Sequence, residues 1–200
     1  VKLVRLMDLE VFDRELLAAK GRRSVAEYYF TTTSVLPHFL FDAFPEIDAV
    51  TYIDADLYFF GDPAPVIEEM GDAAVAITPH RFTQQNQSHV KYGVYNVGWL
   101  TWRREARAYD CLRWYRRKSL EWCYEVVEDD RYADQKYLDR WPSQFAGVHQ
   151  IDHKGANLAP WNVGNYRLSI AGEKIYVDDD PLIFYHFHGL KNGNDLRSEE

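Results

Sequence analysis

Residues Thr51–Phe60 read TYIDADLYFF, with two carboxylates, Asp54 and Asp56, set inside an apolar and aromatic run. A carboxylate removed from water is costly unless a cation or hydrogen-bond donors meet it. Pro45 marks a turn just upstream, and Ala49–Ile53 has the apolar, β-branched composition of a strand. The pair is therefore expected at the carboxyl end of a strand, where ligands of open α/β sheets collect. Residues i and i+2 of a continuous strand share a face. Both carboxylates can then serve one divalent cation, directly or with one of them acting through water or a sugar hydroxyl. Mg²⁺ and Mn²⁺ take oxygen ligands in octahedral geometry, commonly one or two carboxylates completed by substrate phosphates. The plainer alternative is a pair of turn and capping carboxylates.

On the amino-terminal side, Val1–Leu6 alternates as a strand does, and Asp8–Lys20 reads as a helix ending before Gly21. Ser24 with Glu27 is a capping-box signature for a helix over Val25–Tyr29, and Val35–Ala43 reads as another helix. On the carboxyl side, Ala64–Met70 reads as a short helix, Ala73–Thr78 as a buried strand, and Arg81–Tyr92 as a mobile polar loop. Tyr95–Thr101 is expected to be a strand, Arg104–Val127 a long Arg-rich helix and Asp134–Trp141 a further helix. Strands at Phe145–Ile151, Lys174–Tyr176 and Leu182–His186 complete the pattern. This alternation argues an α/β fold.

Two hundred residues with 46% apolar and 27% charged side chains can bury one substantial core. A net charge of −8 argues against nucleic acid or an anionic membrane as the main partner. The 16% aromatic share is high enough that some rings are expected to serve sugar-like ligands as well as the core. Cys111 and Cys123 fall in one expected helix, too far apart to bridge, and read as free thiols of a reducing compartment. No apolar run is long enough to span a membrane, and a cytoplasmic location, with possible attachment at the inner face of the membrane, is expected. The chain opens on Val1, so the native start is expected upstream.

Three further groups could carry chemistry. His186-Phe187-His188-Gly189-Leu190-Lys191 offers an imidazole for a metal, a glycine that lets backbone approach a phosphate, and a lysine charge. Asn96-Val97-Gly98 begins a strand, and Asp134-Gln135 opens a helix, where Asp134 could equally be an N-cap. Asn157–Asn162 holds Trp161 as a candidate stacking ring with two amides for hydroxyls, or simply as core. There is no GxGxxG or Walker loop, no nucleophile elbow and too few cysteines for a zinc cluster. The arginines of 103–117 read as a solvated face.

The order of these motifs resembles that of the metal-dependent, nucleotide-sugar glycosyltransferases of the GT-A fold, most of all the family-eight group that includes glycogenin and bacterial galactosyltransferases. The resemblance covers the chain from about Ser24 onward and rests on Asp54-Ala55-Asp56, Asn96-x-Gly98, Asp134-Gln135 and His186-x-x-Gly189. It implies one domain with a mixed, mainly parallel sheet flanked by helices. Residues 1–82 would be the remainder of the nucleotide-binding half, and residues 83–200 the acceptor-side half. It further implies that Asp56 and His186, with Asp54, ligate Mn²⁺ or Mg²⁺, and that Asp54, Asn96, Gly98, Gly189 and Lys191 hold a UDP-sugar donor. Asp134 and Gln135 would act on the donor sugar near its anomeric carbon. The implied reaction is transfer of a hexose to a carbohydrate or other acceptor hydroxyl, with retention. In this family the closing lysine comes one residue later than Lys191, and the base-binding strand and helix precede the region matched. The chain is therefore expected to lack that edge and to self-associate through an exposed sheet edge. Two other classes remain: a non-catalytic glycan- or partner-binding module on the same fold, and a haloacid-dehalogenase-type phosphatase with Asp54 as nucleophile and Asp178–Asp180 as late metal carboxylates.

Overall fold

Ala49–Ile53 forms a strand with the bounds expected of it, and the sheet built on that strand carries the site. The computed structural model describes residues 2–189. In chain order the elements are α1 (Leu6–Phe12), α2 (Arg14–Lys20), α3 (Val25–Thr33), α4 (Leu36–Ala43), β1 (Ala49–Ile53), β2 (Leu57–Phe59), α5 (Ala64–Glu69) and β3 (Val75–Pro79). There follow a 3₁₀ segment (Gln84–Tyr92), β4 (Tyr95–Arg103), α6 (Ala106–Glu121), a second 3₁₀ segment (Lys136–Arg140), α7 (Trp141–Gln144) and β5 (Val148–Gln150). After a short 3₁₀ turn (Val163–Asn165) come β6 (Leu168–Ala171), β7 (Lys174–Val177), β8 (Asp180–Pro181) and β9 (Phe184–His186).

The main sheet has the order β1-β4-β3-β5. It is mixed, but not mainly parallel in its pairings. Strand β4 lies between β1 and β3 and runs against both, so only β3 and β5 form a parallel pair. The register between β3 and β4 jumps from Ile77↔Leu100 to Thr78↔Asn96, so Val97–Trp99 bulge out of the ladder. Bulges bend a strand and re-aim its side chains, and this one holds the Asn96-x-Gly98 motif. Strand β1 is at the sheet edge, and among the described residues no strand pairs with its outer side. No helix among the described residues is long and apolar enough to cross a membrane.

Several sequence expectations give way to tertiary contacts. Residues 2–5 form no strand, and α1 starts at Leu6, where the Asp8 carboxylate accepts from the Arg5 backbone N–H at 3.0 Å. The helix expected over Asp8–Lys20 is two helices, split at Asp13. That residue is extended (φ −122°, ψ 99°) and caps α2 by accepting from the Glu15 and Leu16 amides at 3.0 and 3.1 Å. Arg116 of α6 grips the same carboxylate at 2.6 and 2.8 Å. The Ser24–Glu27 capping box forms as expected, and α3 continues to Thr33. The polar stretch after Arg81 is 3₁₀ helix over Gln84–Tyr92, anchored where the Thr83 amide and the Asn86 side chain both donate to the Trp161 carbonyl. Helix α6 is shorter than expected and ends at Glu121, leaving buried Cys123 outside it; Cys111 and Cys123 are both free.

Among the described residues there are four buried apolar clusters, two of which pack on the main sheet. One packs Leu100 and Trp102 of the sheet against Leu112, Tyr115, Leu138 and Trp141, all fully buried. Burying a side chain of this kind is worth roughly 1.5–3 kcal/mol. The other lies beneath the site, where Trp99 stacks on Phe184 (5.3 Å between ring centroids) and Phe59 tilts against both.

Candidate metal and sugar-nucleotide site

Strand β1 ends at Ile53, and the Asp54 amide donates to the Gly98 carbonyl at 3.1 Å, so the β4 bulge fixes where Asp54 begins. A turn closed by the Leu57 amide on the Asp54 carbonyl (3.3 Å) then presents Asp56. Strand β2 pairs antiparallel with β9, placing Leu57 opposite His186, and the Phe187 amide donates to the Asp56 carbonyl at 2.9 Å. This register brings His186 Nε2 to 3.0 Å from Asp56 Oδ1 and 3.9 Å from Asp54 Oδ2. The Asp54 carboxylate also accepts from the Tyr52 hydroxyl at 2.7 Å. Asp56 and the imidazole thus meet directly, with the Asp54 carboxylate beside them.

Asn96 determines the state of that imidazole. The Gly98 backbone N–H, necessarily a donor, lies 3.0 Å from Asn96 Oδ1, which identifies that atom as the amide oxygen. His186 Nδ1 lies 3.1 Å from the same oxygen and must carry a proton to bond it. In the neutral ring Nε2 is then bare, and its lone pair faces the Asp56 carboxylate. Two acceptors at this distance need a cation between them, either a proton or a metal ion. Burial pushes the His186 pKa down, against the pull of Asp56 and Asp54, which disfavours the proton. Two ligand atoms on adjacent vertices of an octahedron of about 2.1 Å radius are separated by about 3 Å. The Asp56–His186 spacing fits that edge. Orientation of a metal-binding histidine by a bond to its other nitrogen is a recurrent device.

Asn96 is itself buried and fully engaged, its Nδ2 facing Gln135 Oε1 at 3.3 Å and His80 Nε2 at 3.4 Å. Asn96 lines the cavity, and its Oδ1 also fixes the orientation of His186. Gly98 is needed for space. A Cβ there would sit 2.6 Å from Asn96 Oδ1 and 2.8 Å from the His186 ring.

Asp134 is not an N-cap. Its buried carboxylate accepts from the Tyr115 hydroxyl at 3.1 Å, next to Ala133 in a left-handed conformation (φ 44°). Burial first, then the charge of Asp54, pushes its pKa up to about 7. Burial likewise raises the pKa of Asp54, with the Tyr52 hydroxyl acting the other way. Gln135, the neighbour of Asp134, donates from Nε2 to the Tyr92 carbonyl at 3.1 Å.

These groups line a cavity of about 900 Å³, within the range of sites for small ligands. Its walls include Tyr52, Phe82, Tyr92, Tyr132 and Trp161. Among the described residues no lysine or arginine lines it, while Asp54, Asp56, Glu125 and Asp134 do. His80, stacked on Phe82 at 4.5 Å, offers no positive charge either, since burial takes its pKa down to about 3. Trp161 faces the cavity, but the amides of Asn157 and Asn162 are used on backbone. Asn162 accepts from the Ala159 amide and donates to the His80 and Asn157 carbonyls, and Asn157 donates to the Pro79 carbonyl. Neither amide lines the cavity, and the buried Asn157 Oδ1 has no partner among the described residues. Asp178 and Asp180 are bonded to Arg167 and Lys154 and do not line the cavity. Gly189 sits at φ +75°, and Lys191 lies outside the described residues.

Three participants were not singled out from the sequence. His188 lies in the turn that follows β9, and the cluster Asp56, His186, His188 has ligand atoms within 4.8 Å of one another. Tyr52 is two residues before Asp54. His80 follows the carboxyl end of β3, the same sheet end as Asp54.

No protein-family profile matches the chain. It is 37% identical over 196 residues to "Uncharacterized protein YfnD" of Bacillus subtilis (strain 168), covering 95% of this chain and 61% of that protein. It is 32% identical over 200 residues to "Uncharacterized protein YfnF" of the same organism, covering 96% of this chain and 66% of that one. The chain therefore spans less than two thirds of the length of these relatives. Among solved structures it resembles a glycosyltransferase involved in the glycosylation of the major capsid of PBCV-1. The TM-score is 0.53 at 9% identity, over 84% of this chain and 73% of that one. At that identity the likeness speaks for architecture: the chain has a mixed α/β, glycosyltransferase-like fold.

Proposed function

We propose that the chain carries the site of a metal-dependent glycosyltransferase that moves a hexose from a nucleoside diphosphate sugar to an acceptor hydroxyl. UDP-sugar is the expected donor and retention the expected outcome. The observation that carries this reading is the 3.0 Å approach of bare His186 Nε2 to Asp56, beside Asp54 in a cavity that no described lysine or arginine lines. A diphosphate entering there meets carboxylates, so it requires a divalent cation, and Asp56 and His186 are the residues to hold one. When bound, that cation supplies Lewis-acid stabilisation of the charge growing on the departing diphosphate.

The remaining roles belong to side chains of the cavity. Asp54, with Tyr52 on its carboxylate, keeps acceptor capacity for ribose or sugar hydroxyls or for an ion-bound water. Asp134, with its pKa near 7, can donate to or accept from donor-sugar hydroxyls at neutral pH. Gln135 is assigned to the anomeric centre, which it would meet on exchanging its bond to the Tyr92 carbonyl. Gly189 and Lys191 are assigned to the diphosphate. Phe82, Tyr92, Tyr132 and Trp161 provide faces on which a sugar or base can stack. The fold likeness agrees in kind with this reading.

Calorimetry with UDP in the presence and absence of MnCl₂, followed by an assay for UDP release from UDP-glucose and UDP-galactose, tests the reading. Mn²⁺-dependent UDP binding with turnover of a UDP-sugar is expected. Glycan binding that needs no metal, with no nucleotide bound, would replace it with the binding-module alternative.

A further inference from the structure

We propose that His188 is a third protein ligand of the divalent cation. The chain then presents one carboxylate and two imidazoles, and selects Mn²⁺ over Mg²⁺ before any nucleotide arrives. This rests on the metal site of the proposed function, but not on sugar transfer.

Three observations carry it. First, the ligand atoms of Asp56, His186 and His188 all lie within 4.8 Å of one another. Ligands around one ion at about 2.1 Å are separated by about 3 Å when adjacent and about 4.2 Å when opposite, so such a cluster closes on a single ion with small adjustments. Second, His188 has a defined environment despite its exposure. Trp161 sets its edge against both imidazoles, with centroids 5.1 Å from His186 and 5.6 Å from His188. The Trp161 segment is in turn pinned by the buried amide of Asn162. Third, Asp54 is not part of that cluster. Its nearer oxygen is 3.9 Å from His186 Nε2, and its carboxylate already takes the Tyr52 hydroxyl. Asp54 therefore serves the ion's outer contacts or the substrate, and the inner protein ligands are Asp56, His186 and His188.

The donor set decides the ion. Mg²⁺ strongly prefers oxygen and gives up water reluctantly, whereas imidazole suits the later divalent ions. Two imidazoles in place of carboxylates also reduce the negative charge that would hold Mg²⁺ or Ca²⁺ by electrostatics alone. The site should therefore hold Mn²⁺ by its own ligands, without a diphosphate to complete the shell.

The test is calorimetric titration of the metal-free protein with MnCl₂ and with MgCl₂, without nucleotide, together with pulsed electron paramagnetic resonance of the Mn²⁺ complex to count coupled imidazole nitrogens. The wild type is expected to bind Mn²⁺ at least about tenfold more tightly than Mg²⁺ and to show two coupled imidazoles. His188→Ala should retain the melting temperature of the metal-free protein, show one coupled imidazole and bind Mn²⁺ about 10- to 100-fold more weakly. A single coupled imidazole in the wild type, or unchanged Mn²⁺ affinity in His188→Ala, overturns this inference and leaves the proposed function standing. Two imidazoles in a protein that turns over no nucleotide sugar supports the inference and removes the proposed function. Absence of Mn²⁺ binding with and without UDP overturns both.

Discussion

Asn96 Oδ1 lies between two donors, the Gly98 amide at 3.0 Å and His186 Nδ1 at 3.1 Å, and thereby leaves the opposite nitrogen of His186 free to face Asp56. Asn96→Leu removes the acceptor and leaves both donors unpartnered in the interior. It should cost about 1–3 kcal/mol of stability by denaturant titration. It should also weaken Mn²⁺ about 10- to 100-fold by calorimetry. Unchanged metal affinity in a folded Asn96→Leu protein would show that His186 is oriented by something else.

Gly98→Ala tests space rather than hydrogen bonding. The added methyl would press on Asn96 Oδ1 and the His186 ring, both closer than 3 Å. Either the ring or the bulge must move, and overpacking of this kind costs about 1–3 kcal/mol. The expected result is a protein with a lowered melting temperature and lost Mn²⁺ binding. A crystal structure of the variant with His186 undisplaced would contradict the account of the bulge.

Asp134 makes stability depend on pH with a definite sign. In the folded chain its carboxyl keeps its proton up to about pH 7, whereas in an unfolded chain it loses it near pH 4. Stability from this group is thus full below about pH 4, declines as pH rises toward 7, and is flat above. Each unit of raised pKa is worth about 1.4 kcal/mol, so on the order of 4 kcal/mol is at stake across the window. Asp134→Asn, whose amide oxygen can still accept from Tyr115, should match the wild type near pH 4 and exceed it near pH 8 in urea titrations. Parallel curves for the two proteins would mean that Asp134 titrates normally. Saturating Mn²⁺ should narrow the difference, because the charge of Asp54 is the second cause of the shift.

Asp13→Ala should act on the fold without touching the cavity. It removes the cap of α2 and strands Arg116, which grips Asp13 with two nitrogens. A lost cap costs about 1 kcal/mol, and Arg116, part-exposed and also bonded to Glu15, adds less than a fully buried cation would. The expected loss is about 2–3 kcal/mol in total. Burial would raise the Asp13 pKa, but Arg116 and the capped amides hold it below the usual carboxylate value. Its contribution is therefore present above about pH 4 and fades as pH falls below that. Chemical denaturation at neutral and acid pH reads both effects. Mn²⁺ affinity should not change.

What local pattern decides was legible. The β1 bounds and the Ser24–Glu27 box follow from apolar runs and turn residues, whereas the grouping of Asp54 and Asp56 with His186 came from the resemblance in motif order. What depends on partners far along the chain was not. The break at Asp13 is imposed by Arg116, 103 positions later. The order of Gln84–Tyr92 comes from bonds to the Trp161 carbonyl. Strands β2 and β9 are too short to announce themselves, and their pairing decides which imidazole meets which carboxylate. The engaged amide of Asn96 was also out of reach, since a polar residue in an apolar strand looks the same whether it meets ligand or protein.

Strands β2 and β9 have three residues each, and a two-stranded ribbon of that size is marginal in water. Asp56 enters one of these strands and His186 ends the other. An ion that binds only when both are in place adds its binding free energy to closing the ribbon. Its apparent affinity is reduced by whatever fraction of molecules has the ribbon open. At the proposed site such an ion would be a fastener as much as a cofactor, joining a strand from late in the chain to a turn from its first third. If the proposed ion binds, amide exchange at Phe187, whose N–H bonds the Asp56 carbonyl, should slow with metal occupancy.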